Sequence, residues 1–138
     1  MTGGSWFVLF PKARVPSKDA VMSTLGQIRN ATVTDLGELN PGVLKPGEME
    51  FTVAVRGKSF DVALNASSYV VIETREAVAE NRASLDHPDK VETYDTRFEL
   101  LFDQTDMGEL FNPLLAAAER LAKLTAGVVY EADNGVFQ

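Results

Sequence analysis

The chain has 138 residues, no cysteine, one histidine and a formal net charge of −7. That length suits one domain, and the cysteine and histidine counts exclude disulfides, a thiol nucleophile, Cys-ligated metal and a His-rich metal site. The longest apolar run, Trp6 to Phe10, is far short of the roughly 20 residues that span a bilayer, and the opening Met-Thr-Gly-Gly-Ser has neither the basic start nor the apolar stretch of a secretory leader, so a cytoplasmic protein is expected.

Trp6-Phe7-Val8-Leu9-Phe10 reads as a strand near the centre of a sheet, buried on much of both faces. Pro16-Ser17 opens a helix with Ser17 as its N-cap, and Val21, Leu25 and Ile28 fall on one face of it. Ala31 to Leu36 is a strand, and Gly37 to Gly47, with two prolines, a loop. Met49, Phe51, Val53 and Val55 alternate with polar or small residues, as do Phe60, Val62 and Leu64. This period of two on both sides of Gly57-Lys58 predicts a hairpin with a type II′ turn and one apolar face.

Ala66 to Ile72 fits either an extension of that strand or a lead into the next helix. Thr74 is placed to cap a mostly polar helix reaching Ser84, and Asp86-His87-Pro88-Asp89 breaks it. Pro88 to Tyr94 suits one or two helical turns, and Phe98, Leu100 and Phe102 mark another strand. Asp106 followed three residues later by Glu109 resembles a capping box for a long helix from Met107. Pro113 conflicts with that start, and Asn112 as N-cap with Pro113 at N1 is the alternative. Gly127 is a natural stop, and Val128–Tyr130 and Val136–Phe137 flank the turn signal Asn134-Gly135. The expected fold is a single α+β domain over residues 1–138: a mostly antiparallel sheet with two to three helices packed on one face.

The charge is unevenly distributed. Residues 1–69 carry net +1 and residues 70–138 net −8, with eleven acids against four bases between Glu73 and Glu109. Direct nucleic-acid binding and docking on anionic membranes are disfavoured, because both need clustered Lys and Arg. A solvated acidic surface is one reading, and a docking face for a basic protein the other.

Chemistry-bearing residues are sparse. His87 is the only imidazole, in a turn between Asp86 and Asp89. Asp103 and Asp106 sit at a strand-to-helix junction, where capping explains them and a calcium loop does not, since Leu114 stands where a bidentate glutamate is required. No phosphate-cradling glycine loop, nucleophile elbow or zinc-protease helix is present. The strand aromatics, among them Trp6, Phe51, Phe60 and Phe98, read as core.

The opening Trp6–Phe10 strand, the Phe51–Leu64 hairpin, the Phe98–Phe102 strand and the Ala-rich Leu114–Thr125 helix running into Gly127-Val128-Val129-Tyr130 resemble the uncharacterised bacterial family called domain of unknown function 4261. The likeness is one of pattern and does not extend over Glu73 to Asp95. It implies an α+β fold and a bacterial source, and allows the immunity role that some similar small domains play beside secreted toxins. It carries over no functional residue.

Three functions follow as expectations. The leading one is a non-enzymatic protein-binding domain, an immunity protein that occludes a basic toxin through Glu73, Glu76, Glu80, Asp86, Asp89, Glu92 and Asp95, with no cofactor and no metal. The second is a small enzyme or ligand-binding domain using His87 with Asp103 or Asp106. The third is a structural protein that self-associates, as a homodimer, through its edge strands.

Overall fold

The computed structural model describes residues 3–138. Seven strands form one sheet in the order β2-β3-β4-β5-β1-β6-β7, and every neighbouring pair is antiparallel. The strands are β1 (Gly3–Phe10), β2 (Ala31–Asp35), β3 (Glu50–Val55), β4 (Lys58–Asn65), β5 (Thr96–Asp103), β6 (Val128–Glu131) and β7 (Val136–Phe137). The helices are α1 (Lys18–Gly26), α2 (Leu36–Leu39), α3 (Val70–Asn81), α4 (Pro88–Val91) and α5 (Met107–Thr125). The expected α+β class and antiparallel sheet hold, with five helices instead of two or three.

The strand alternation sorts residues between two layers. Trp6, Val8 and Phe10 of β1, Phe51 and Val53 of β3, Phe60 and Val62 of β4 and Phe98 and Leu100 of β5 point to one face. There they meet Val21 and Leu25 of α1 and Leu110, Leu114, Ala117, Ala118 and Leu121 of α5, forming the main core. Leu9 points the other way and packs with Val78 of α3, Val91 of α4 and Tyr94, flanked by Phe7, Tyr130 and Phe137. Helices therefore cover both faces, not one. The second layer covers only the β5-β1-β6-β7 half, which explains why β1 is apolar on both sides while β3 and β4 alternate.

Helix starts follow local chemistry. Ser17 Oγ accepts a hydrogen bond from the Ala20 N–H at 3.1 Å, as the sequence indicates. Asp35 accepts from the Gly37 N–H at 3.0 Å and meets Lys18 Nζ at 2.6 Å, which turns the first residues of the expected loop into α2. Helix α3 begins at Val70, so Thr74 lies inside it, buried, its hydroxyl donating to the Val70 carbonyl at 2.9 Å. No capping box forms at Asp106, whose side chain pairs instead with Lys58 Nζ at 3.2 Å. Asp103 takes the N-terminal role, accepting from the Thr105 N–H at the 3-10 turn that leads into α5. Helix α5 runs through Pro113 without restarting at Asn112, held by its buried leucine and alanine face.

Two backbone details depart from the reading of the glycines. The hairpin turn is centred on Arg56-Gly57, with φ +50° and +82° and Val55 opposite Lys58, so it is type I′ and one residue earlier than expected. The left-handed residue ending α5 is Ala126, at φ +51°, and not Gly127. Gly127 is needed for room, because a Cβ there would stand 2.4 Å from the Leu9 carbonyl oxygen.

Candidate functional site

Helices α3 and α4 and the turns around them bring all seven expected acidic contacts onto one layer. Residues 70–95 hold these seven carboxylates against Arg75, Arg82 and Lys90, a net of −4. The sequence places them here because the layer needs only a narrow apolar stripe, Val70, Thr74, Ala77 and Val78, to seat α3 on the sheet. The rest of the helix surface is left to charge.

The carboxylates are not equivalent. Glu73 binds Arg97 Nη1 at 2.7 Å. Asp89 and Glu92 share Arg82, each at 2.8 Å from one terminal nitrogen, which ties α4 to the end of α3. Asp95 accepts from the Lys12 N–H at 2.9 Å and the Thr96 hydroxyl at 3.2 Å, so it organises the chain after β1. These four already have partners within the fold. Glu76, Glu80 and Asp86 are exposed and form no ion pair among the described residues. Glu80 lies close enough to Tyr130 to add to the burial that holds its phenol above the usual tyrosine range.

Apolar groups lie among these charges. Tyr69 and Ile72 are 47% and 55% exposed, large values for such side chains beside a packed helix. Helical spacing puts Tyr69, Ile72, Glu73, Glu76 and Glu80 on one face. An exposed aromatic and an exposed aliphatic side chain thus stand beside exposed carboxylates on this layer.

Sequence reasoning missed the residue that organises the inner edge of this layer. Arg97, on the outward face of β5, is buried, with its guanidinium 3.9 Å from the centre of the Phe7 ring. Its Nε donates to Glu99 at 2.8 Å, and Asn65 donates to the same carboxylate oxygen at 2.9 Å and to the Tyr69 hydroxyl at 2.7 Å. The available signal was an arginine and a glutamate two apart on the polar side of a strand whose neighbour β1 is apolar on both sides. A charge at that register must either be covered or carry a partner.

The structure does not join His87 to Asp103 or Asp106. His87 is exposed in the turn before α4, its carbonyl accepting from the Lys90 and Val91 N–H groups. Asp103 is engaged by the Thr105 N–H and hydroxyl, which hold its carboxyl below the usual aspartate range. Asp106 faces Lys58. Among the described residues no hydrogen bond or ion pair links His87 to either, and two surface grooves, of about 680 and 630 Å³, are lined by none of the three. Among the described residues no group of three or more His, Asp or Glu side chains converges as a metal site, and no helix is long and apolar enough to cross a membrane.

No family model, curated protein or solved structure matches the chain.

Proposed function

We propose that the protein is a non-enzymatic binding domain whose α3–α4 layer docks on a basic protein, in the manner of a cytoplasmic immunity protein that occludes a toxin. One observation carries this reading. A single layer concentrates net −4, and three of its carboxylates, Glu76, Glu80 and Asp86, stand exposed beside the exposed Ile72 and Tyr69 and form no ion pair among the described residues. Glu73, Asp89, Glu92 and Asp95 shape the layer and add to its field, while the free carboxylates make the direct contacts. Opposite charge accelerates encounter and selects the partner, and the apolar pair supplies contact area on docking. The resemblance to the family named above fits the same role.

The test uses the open reading frame adjacent to this gene in its source genome. Co-expression of the native chain is expected to rescue cells from growth arrest caused by that neighbour. The triple variant Glu76→Lys, Glu80→Lys, Asp86→Lys is expected to fold with an unchanged circular dichroism spectrum and lose the rescue. In purified complexes it should slow association at least about tenfold, with the native rate falling as salt rises through the Debye range. Rescue that survives the triple reversal, or a neighbour with no toxicity, refutes the assignment.

A further inference from the structure

The opposite face of the molecule holds cations that form no ion pair among the described residues. Between the end of α1, the β3–β4 turn and α5 from Gly108 to Arg120 lies a groove of about 680 Å³, within the range of small-molecule sites. Its floor is apolar, made by Ile28, Val55, Pro113 and Ala116. Its walls carry Arg29, Arg56 and Arg120 against one carboxylate, Glu109. Three arginines on one groove are unexpected in a chain of net charge −7. Among the described residues none of them forms an ion pair, and the one side-chain hydrogen bond they make is from Arg120 to Gln27 Oε1, at 2.9 Å.

Arg56 adds a second, independent observation. It occupies the first central position of the type I′ turn at φ +50°, where Asn, Asp or Gly is comfortable and a long side chain is penalised. Its side chain is exposed and forms no ion pair among the described residues, so the backbone cost is borne by the hairpin ladder while the guanidinium stays available. Strain at an exposed cation on the rim of a groove is the pattern of a residue kept for a ligand.

The geometry points to a binding site for an organic oxyanion, a phosphate or carboxylate group borne on an apolar body. Guanidinium forks match either group through paired N–H donors, and the apolar floor accepts the body. This site lies on the face away from the acidic layer and stands whether or not that layer docks a toxin.

The probes are phenyl phosphate, phenylacetate and inorganic phosphate, titrated calorimetrically at low salt against the intact chain. At least one aromatic anion is expected to saturate below about 1 mM, and inorganic phosphate to bind at least about tenfold more weakly. Phenyl phosphate against phenylacetate identifies the head group. Arg56→Asn should weaken binding about tenfold while leaving Tm equal or higher, and Arg120→Gln should weaken it similarly. Glu109→Gln should tighten it severalfold by removing a like charge. Gly108→Phe, whose added Cβ meets open space, should abolish binding by filling the groove without disturbing the core. The inference is overturned if neither aromatic anion saturates by about 10 mM. It is also overturned if Arg56→Asn binds as well as the native chain, or if that variant lowers Tm, since the arginine would then serve the fold.

Discussion

Adjacent residues at the end of α5 should respond to substitution with opposite signs. Gly127 lies where α5 hands over to β6, and an added Cβ would meet the Leu9 carbonyl oxygen at 2.4 Å and Thr125 Oγ1 at 2.9 Å. Ordinary contact begins near 3.4 Å, so Gly127→Ala requires a displacement of about 1 Å. The obstructing atom is backbone of β1, which pairs with β5 on one side and β6 on the other, with Leu9 opposite Val128. It cannot retreat without breaking a ladder. Overpacking of this kind costs roughly 1–3 kcal/mol, and a lost ladder hydrogen bond adds about 1. A loss of roughly 2–4 kcal/mol lowers Tm by roughly 6–12 °C in a domain of this size. Ala126, at φ +51°, bears a left-handed penalty of roughly 1–2 kcal/mol. Glycine removes it at an unfolded-state cost of roughly 0.4–1 kcal/mol. Ala126→Gly should therefore gain roughly 0.5–1 kcal/mol and about 2 °C. Urea unfolding followed by the fluorescence of Trp6, buried in the main core and the only tryptophan, reads both changes. The m-value should stay constant. If Gly127→Ala lies within about 0.5 kcal/mol of the native chain, the close approach of the helix end to β1 is wrong.

Two further substitutions probe the polar groups held by the fold. Arg97→Leu leaves Glu99, only 19% exposed, with the Asn65 amide as its remaining partner and frees the half-exposed Glu73, so the loss should fall near the lower end of the roughly 3–5 kcal/mol typical of a broken buried pair. Adding Glu99→Gln should recover part of it in a double-mutant cycle, and strict additivity would refute the coupling. Asp35 is held below the ordinary aspartate value near 3.8 by its hydrogen bond to Lys18, against the opposing effect of burial, with the Gly37 N–H assisting. The unfolded chain therefore takes up the proton first as pH falls. The contribution of this carboxylate is full above the unfolded value and disappears as pH drops through the lower folded one. Asp35→Asn should be less stable than the native chain at pH 7, with the gap closing in urea titrations towards pH 3. A gap independent of pH would assign the effect to shape instead of charge.

The two charged regions differ in how they relate to the fold. In the acidic layer the packed groups, Arg97, Glu99 and Asn65, satisfy one another beneath the surface, and the free carboxylates project from it. Pairs at exposed sites, such as Arg82 with Asp89 and Glu92, add little stability, so this layer can change its charge without unfolding. The arginine groove instead keeps a strained turn residue beside an apolar floor.

The sequence by itself determined the strands and the class. Alternation at Phe51–Val55 and Phe60–Leu64, the Ser17 cap and the α5 leucines are local patterns, and the local periods indicated the buried side, with Leu110, Leu114 and Leu121 buried as their spacing implies and Leu124 exposed against it. It also indicated the clustering of acids between Glu73 and Asp95, because they lie close along the chain. Tertiary structure alone decided which of those carboxylates remain free, since Arg97 and Lys12 reach Glu73 and Asp95 from distant segments. It also decided that Asp106 serves Lys58 in place of the helix cap, that Gly127 provides room while Ala126 takes the left-handed turn, and that Arg29, Arg56 and Arg120 share one groove. The physical reason is common to all of these. Periodicity and capping depend on neighbours a few residues away, whereas ion pairing, backbone clearance and cavities depend on atoms that only sheet registry and helix packing bring together.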